Sequence, residues 1–227
     1  MFPRPVQVRG VPTHLSTSGL TQGGVNEHNK LLNNFVAYNL VKKYWFELTI
    51  AKVEPKLLEG FAKHKMMAIV HPRKKYQFYS EDPVTASAEE KSQISQEGIY
   101  LFGGEDANVE LSNKLYILTV GTPSIEVYQP KVKGSPPTPR KNFGWTRVKE
   151  FLFIQGGRND DMRPWIIGSI SALNLRTMSW IWVKGDKPTL RHSHALLAYS
   201  DEVIILGGKN LDGLCKEVYP IKYEEVI

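Results

Sequence analysis

The chain has 227 residues, a net charge of +6 and an isoelectric point near 9.2, so any electrostatic bias towards acidic partners is mild. A 41% hydrophobic and 11% aromatic content excludes a low-complexity or disordered chain, and the length allows a sizeable core in one or two domains. One cysteine, Cys215, excludes an intramolecular disulfide, no run approaches a membrane span, and Met1-Phe2-Pro3-Arg4-Pro5 lacks a signal peptide's apolar stretch. A reducing, cytoplasmic setting without a membrane partner is the expectation.

Residues 1–22 are the least regular part, with Pro5 to Arg9 and His14 to Ser16 as candidate short strands. A polar loop follows, from Val25 to Lys30, and then strands over Asn34 to Leu40 and Tyr44 to Leu48. Residues 56–64 lead into Met66 to Val70, an apolar strand. Residues 72–97 begin basic (Arg73, Lys74, Lys75), turn acidic (Glu81, Asp82, Glu89, Glu90) and read as a long projecting loop, disordered or functional. The stretch Arg73 to Tyr79 mixes cations with aromatics, but one short cluster is no nucleic-acid footprint, and no nucleic-acid partner is expected.

Apolar segments resume at Ile99, and a Pro-rich linker, Lys131 to Lys141, carries Lys131, Lys133, Arg140 and Lys141 without an acid. A third strand-rich unit runs from Phe143 to Trp182, and its loop carries Arg158, Asp160, Asp161, Arg163 and Trp165. The linker Lys184 to Arg191 leads to a strand over His194 to Tyr199, and Val218 to Tyr223 forms the last apolar stretch.

These elements repeat. The segments ending in Gly103-Gly104, Gly156-Gly157 and Gly207-Gly208 are each a short apolar run closed by two glycines, with a weaker copy at Gly23-Gly24. The last three are 53 and 51 residues apart and the first gap is 80, the excess falling in the 72–97 insertion. A period near 50 marks one supersecondary unit used several times. Paired glycines suit a backbone that turns with positive φ or passes close beneath a neighbour. After the glycines come pairs of residues seven apart: Tyr38 and Trp45, Leu173 and Trp180, Tyr219 and Val226. The copy after Gly104 keeps Tyr116 but has no Trp, and Val127 is its substitute. Arg140 and Arg191 each stand sixteen residues before a first glycine.

Glycine pair, then Tyr, then Trp seven residues on resembles the kelch repeat. That resemblance covers nearly the whole chain and implies an all-β propeller of about four blades, each with four antiparallel strands. The expected repeats are 1–55, 56–130, 131–183 and 184–227, in one domain. Alternating strand connections would then gather the post-glycine loops and the inter-blade linkers on one face. Arg140, Lys141, Arg158, Arg163, Trp165, Arg191, His192 and Lys209 would meet there as candidate partner-binding residues, since loops on a rigid scaffold carry binding and Arg and Trp recur in hot spots. The competing reading for Arg140 and Arg191 is a structural one, bonding adjacent carbonyls. Trp45 and Trp180 are expected in equivalent buried places between blades.

No catalytic constellation emerges. The six His stand at 14, 28, 64, 71, 192 and 194, and the His192/His194 pair lacks further ligands at metal spacing. The glycine pairs end strands without opening helices, so they do not cradle a phosphate. Some kelch-like propellers are copper oxidases using Cys and Tyr, but Cys215 has no matching partner pattern. The resemblance thus implies a non-catalytic interaction scaffold or adaptor without a cofactor, in a cytoplasmic or cytoskeletal assembly. The alternatives are a ubiquitin-ligase substrate-recognition subunit and, from another class, an enzyme with a site at the propeller axis. Only four copies can be counted, and two ways of completing the ring are compatible with the sequence. Val6 to Arg9 could pair with the last blade, or another chain or second copy could supply blades; the second is favoured because no N-terminal strand carries the missing Trp.

Overall fold

The computed structural model describes residues 18–22, 26–28, 30–39, 41–52, 62–69, 95–106, 108–120, 124–183 and 190–221. Among these there is no helix; the ordered elements are strands joined by turns. Four units follow one another along the chain, each a curled antiparallel sheet.

The first blade comprises β1 (Ser18–Gln22), β2 (Phe35–Asn39) and β3 (Tyr44–Lys52). The second has β4 (Lys65–Ile69), β5 (Gly98–Phe102), β6 (Leu115–Val120) and β7 (Ser124–Tyr128) in spatial order β4-β5-β6-β7. The third is β8 (Gly144–Val148), β9 (Phe151–Gln155), β10 (Ile170–Asn174) and β11 (Ser179–Trp182), again in sequence order. In the fourth, β12 (Ala195–Tyr199) and β13 (Glu202–Leu206) are followed by a small hairpin, β14 (Lys209–Asn210) with β15 (Gly213–Leu214), before β16 (Val218–Ile221) pairs with β13. The expectation of four strands per blade therefore holds for the second and third units, whereas the first and fourth show three main strands among the described residues. Val6 to Arg9, Gly23, Gly24, residues 72–94 and Val226 lie outside the described residues.

Blades contact one another face to face, because each sheet alternates apolar residues to both sides and must cover both. Phe35, Ala37, Phe46 and Leu48 of the first blade pack against Leu101, Tyr116, Leu118, Ile125 and Val127 of the second. The other side of the second blade, with Tyr100, Phe102, Leu115 and Ile117, meets Trp145, Ile154, Leu173 and Trp180 of the third. Phe153 and Ala172 on the far side of the third then meet Leu196, Val203, Ile205 and Ile221 of the fourth. Outer strands overshoot towards the next blade. The end of β3 pairs in parallel with β7 (Thr49 with Ser124, Ile50 with Ile125), and Lys133, beyond β7, bridges in parallel to Ser179 on β11. The first of these contacts merges two blades into one seven-stranded sheet.

The glycine pairs are explained by the next blade. Gly103 and Gly156 have φ of 68° and 66°, and a Cβ on them would stand 2.9 Å from the Arg140 carbonyl oxygen and 2.4 Å from that of Arg191. The second glycines then donate to the same carbonyls: Gly104 N–H to Arg140 O and Gly157 N–H to Arg191 O, both at 2.9 Å. Only a residue without a side chain permits that approach.

Trp180 is buried between blades at 7% exposure, beside Phe102 with ring centroids 5.2 Å apart. Trp45 is not its equivalent in environment. It is 37% exposed and, among the described residues, its ring lies tilted against that of its cross-strand neighbour Tyr38, at 5.0 Å. The sequence spacing puts both Trp on the face turned towards the preceding blade, and among the described residues no blade precedes the first.

Candidate functional site

The start of each blade pairs with the residue that follows its own glycines. Ala62 bridges Glu105, Lys141 bridges Arg158, and His192 bridges Lys209. Glu105, Arg158 and Lys209 are therefore one repeat position in three blades. A second ladder crosses between blades at Lys63, Asn142 and Ser193, all with φ between 56° and 59°. The Ser193 N–H donates to Asn142 O at 2.7 Å, and the Asn142 N–H to Lys63 O at 3.4 Å. These rungs fix the loop bases of three blades relative to one another.

Side chains at these rungs form a continuous ion-pair chain. Lys63 contacts Glu105, which also accepts from Lys141 Nζ at 2.7 Å; Lys141 reaches Asp160 at 2.8 Å, and Arg158 Nε donates to Asp160 Oδ1 at 2.8 Å. Burial acts to raise the Glu105 pKa, but the ammonium groups of Lys141 and Lys63 outweigh it and hold it below the usual range. Burial likewise acts to lower the Lys141 pKa, and Asp160 and Glu105 together raise it instead. The donating Lys141, with help from Arg158, lowers the Asp160 pKa. Of the linker cations, Lys141 is thus opposed: it is buried between two carboxylates.

Arg140 and Arg191 are placed for structure. Arg140 is fully buried and donates from Nη1 to Gly156 O at 2.9 Å, from Nε to Thr138 O at 3.0 Å and from Nη2 to Thr138 Oγ1 at 3.0 Å. Burial brings its pKa down to about 10, which leaves it charged at neutral pH. Arg191 repeats the first contact, Nη1 to Gly207 O at 3.1 Å, and is 6% exposed. Both guanidinium groups are buried and turned inwards to blade carbonyls.

The accessible part of the candidate set lies on the third blade's loop. Residues 158–166 fold back on themselves, with Arg158 bridging Ile166 and the Asn159 N–H donating to Trp165 O at 2.8 Å. Asn159 anchors the loop to the linker through Nδ2 to Pro139 O at 3.0 Å. The half-buried Trp165 carries the Arg158 guanidinium over its ring at 4.9 Å, and its other neighbour is the buried His192 ring at 5.6 Å. Burial, then Arg158 and Lys209, lower the His192 pKa, so the ring is neutral at physiological pH. Exposed Met162, Arg163 and Pro164 flank this shelf, and Arg163 Nη1 is held by Asp160 O and Met162 O at 2.9 and 2.7 Å. Lys209 is exposed at the next blade's rung. The face therefore offers a pinned aromatic platform edged by cations, which is the composition of a protein contact.

The sequence reading did not single out Glu105 as a site residue. Alignment with Arg158 and Lys209 after the glycines was the available signal. Tyr116 and Tyr219 occupy the same repeat place, the first buried in the core and the second half-buried against the last one. Among the described residues, no group of three His, Cys, Asp or Glu is arranged to hold a metal ion, and no helix is long and apolar enough to cross a membrane.

A family model described as the KLHDC2/KLHL20/DRC7 Kelch-repeats domain matches residues 77–225, about two thirds of the chain. The chain belongs to the kelch-repeat family. Its fold is the kelch β-propeller type, and the family supports a protein-interaction role. Among curated relatives, acyl-CoA-binding domain-containing protein 5 of Arabidopsis thaliana is 31% identical over 144 residues, covering 62% of this chain and 21% of that protein. The Rab9 effector protein with kelch motifs of Xenopus laevis is 28% identical over 126 residues, 54% of this chain and 34% of that one. Tip elongation aberrant protein 1 of Schizosaccharomyces pombe is 27% identical over 119 residues, half of this chain and 10% of its own length. In each case the kelch match spans about a third or less of the relative.

Proposed function

We propose that this kelch chain is a non-catalytic interaction module of a larger cytoplasmic or cytoskeletal assembly, and that it takes its protein partner on the loop face around Trp165. The observation that carries this reading is the Trp165 shelf itself. An aromatic ring is held by Arg158 over its face and by the neighbouring His192 ring, on a loop whose backbone is bonded back to the blade. Holding the ring in advance lowers the conformational cost of binding, and Trp and Arg are the residues on which contact energy concentrates. The name of one relative, an effector of Rab9, supports a protein as the binding partner. Arg163 and Lys209, exposed beside the shelf, favour a partner that presents carboxylates.

The test is capture of partners from a cell extract, followed by affinity measurement with the protein identified. Trp165→Ala should weaken binding about 30-fold or more, in the range of a hot-spot truncation. The double reversal Arg158→Glu/Arg163→Glu should weaken capture and flatten its salt dependence. Binding that survives all three changes in a folded protein would place the interface elsewhere.

A further inference from the structure

Among the three rungs at the loop bases, only one sets two permanent cations opposite each other. Ala62 faces Glu105 and His192 faces Lys209, but Lys141 faces Arg158, with N–H to carbonyl bonds of 3.1 and 2.9 Å exchanged between them. Like charges directly opposed on a ladder repel. Two carboxylates relieve this pair, and each divides its oxygens between two cations. Asp160 gives Oδ2 to Lys141 Nζ at 2.8 Å and Oδ1 to Arg158 Nε at 2.8 Å. Glu105 gives Oε2 to Lys141 Nζ at 2.7 Å and Oε1 to Lys63. The middle of this chain is closed to solvent, with the Lys141 and Glu105 side chains 7% and 9% exposed. Its ends are open, with Lys63 at 43% and Asp160 at 42%.

The chain ends on the Trp165 ring, because Arg158, bound by Asp160, lies over it at 4.9 Å. We infer that Glu105 and Lys141 are positioning residues for this ring, so that a carboxylate on the second blade sets how the third blade presents Trp165. With Glu105 ionised, Lys141 has two acceptors and leaves Asp160 Oδ1 to Arg158. Without that charge, Lys141 and Arg158 compete for Asp160 alone. Lys141 is buried and has no solvent to turn to, so it keeps its carboxylate. Arg158, with its side chain 33% exposed, turns to water instead, and its contact with the ring loosens. Burial also keeps salt from screening the link between Lys141 and Glu105. This role rests on the Trp165 shelf being the contact site, and it adds a dependence there. A partner's affinity is set in part by Glu105, a residue too buried for the partner to touch.

NMR of the full chain tests the link without a partner. In Glu105→Gln the Arg158 Nε–H should exchange with water at least about threefold faster than in the wild type. The Trp165 indole N–H signal should move towards its position in Arg158→Met. Glu105→Gln/Lys141→Met, which removes the buried cation together with its counter-charge, should restore the slow Arg158 exchange, because Asp160 then serves Arg158 alone. Glu105→Asp keeps the charge but draws it back by one methylene, and it should show the same changes in smaller measure should Glu105→Gln fail to fold. Glu110→Gln removes an exposed carboxylate from the same loop and should leave both signals in place. Unchanged Arg158 and Trp165 signals in a folded Glu105 variant would overturn the inference. Equal shifts in Glu110→Gln would overturn it too, by showing a diffuse field in place of a bonded link. The contact site itself fails separately: signals that respond as expected, while Trp165→Ala leaves partner capture intact, would move the interface and leave the positioning role standing.

Discussion

The contact between the second and third blades and the outer faces of the first and fourth are built from the same repeat, yet they do opposite things. In the middle, Trp180 and the glycine at 156 are sealed by a neighbouring sheet. At the ends, Trp45 and Gly207 hold the same repeat places against open space. A kelch residue's energetic role is thus set by which blade stands beside it, because the motif fixes register within a sheet and leaves the facing surface to the neighbour.

The largest expected difference lies at the two Trp. Trp180→Ala removes a ring from a closed inter-blade core and should cost about 3–5 kcal/mol in denaturant titration. Trp45→Ala should cost less than about 1 kcal/mol in dilute protein, as surface changes do. Equal losses at both sites would mean that the first blade's outer face is covered.

The glycines give the next contrast. Ala at 156 combines the left-handed conformation with a Cβ driven into the Arg191 carbonyl, so a loss of roughly 2–4 kcal/mol is expected. Ala at 207 meets only the conformational cost, about 1–2 kcal/mol. Matching thermal midpoint shifts for the two variants would break the comparison.

How far all this was legible in the sequence follows from the same distinction. The glycine pairs, the strand spacing and the Trp seven residues beyond a Tyr or Leu are local patterns, and they led to the fold. The Arg140 and Arg191 spacing was legible as well, and its structural reading prevailed because each side chain reaches a carbonyl sixteen residues on. The exposure of Trp45 and the parallel pairing of β3 with β7 were not legible, since both depend on how one blade abuts another. Nor was the opposition of Lys141 by Glu105, which lies 36 residues away in the chain.

A pH-dependent contrast concerns His194, the fourth blade's counterpart of Phe143 in the third. Its ring is wedged against Gly144 and Gly156; burial first, then Arg191 and Lys65, push its pKa down to about 4. The unfolded chain, with an ordinary value near 6.5, therefore binds the proton more readily than the folded one. Stability from the neutral ring is complete above about pH 6.5 and is lost as pH falls towards 4, by at most roughly 3 kcal/mol. His194→Phe should flatten that slope in urea titrations between the two pH values; an unchanged slope would assign it to other groups.

Native-state hydrogen exchange tests the central comparison most directly, because it reads each strand's protection separately. In dilute protein, amides of β5, β9 and β10, with a blade on both sides, should exchange only through global unfolding. Those of β13 and β16, covered on one side, should exchange through a smaller, local opening. Uniform protection across β5, β9, β13 and β16 would contradict the account, because it would mean that the fourth blade is as enclosed as the two in the middle.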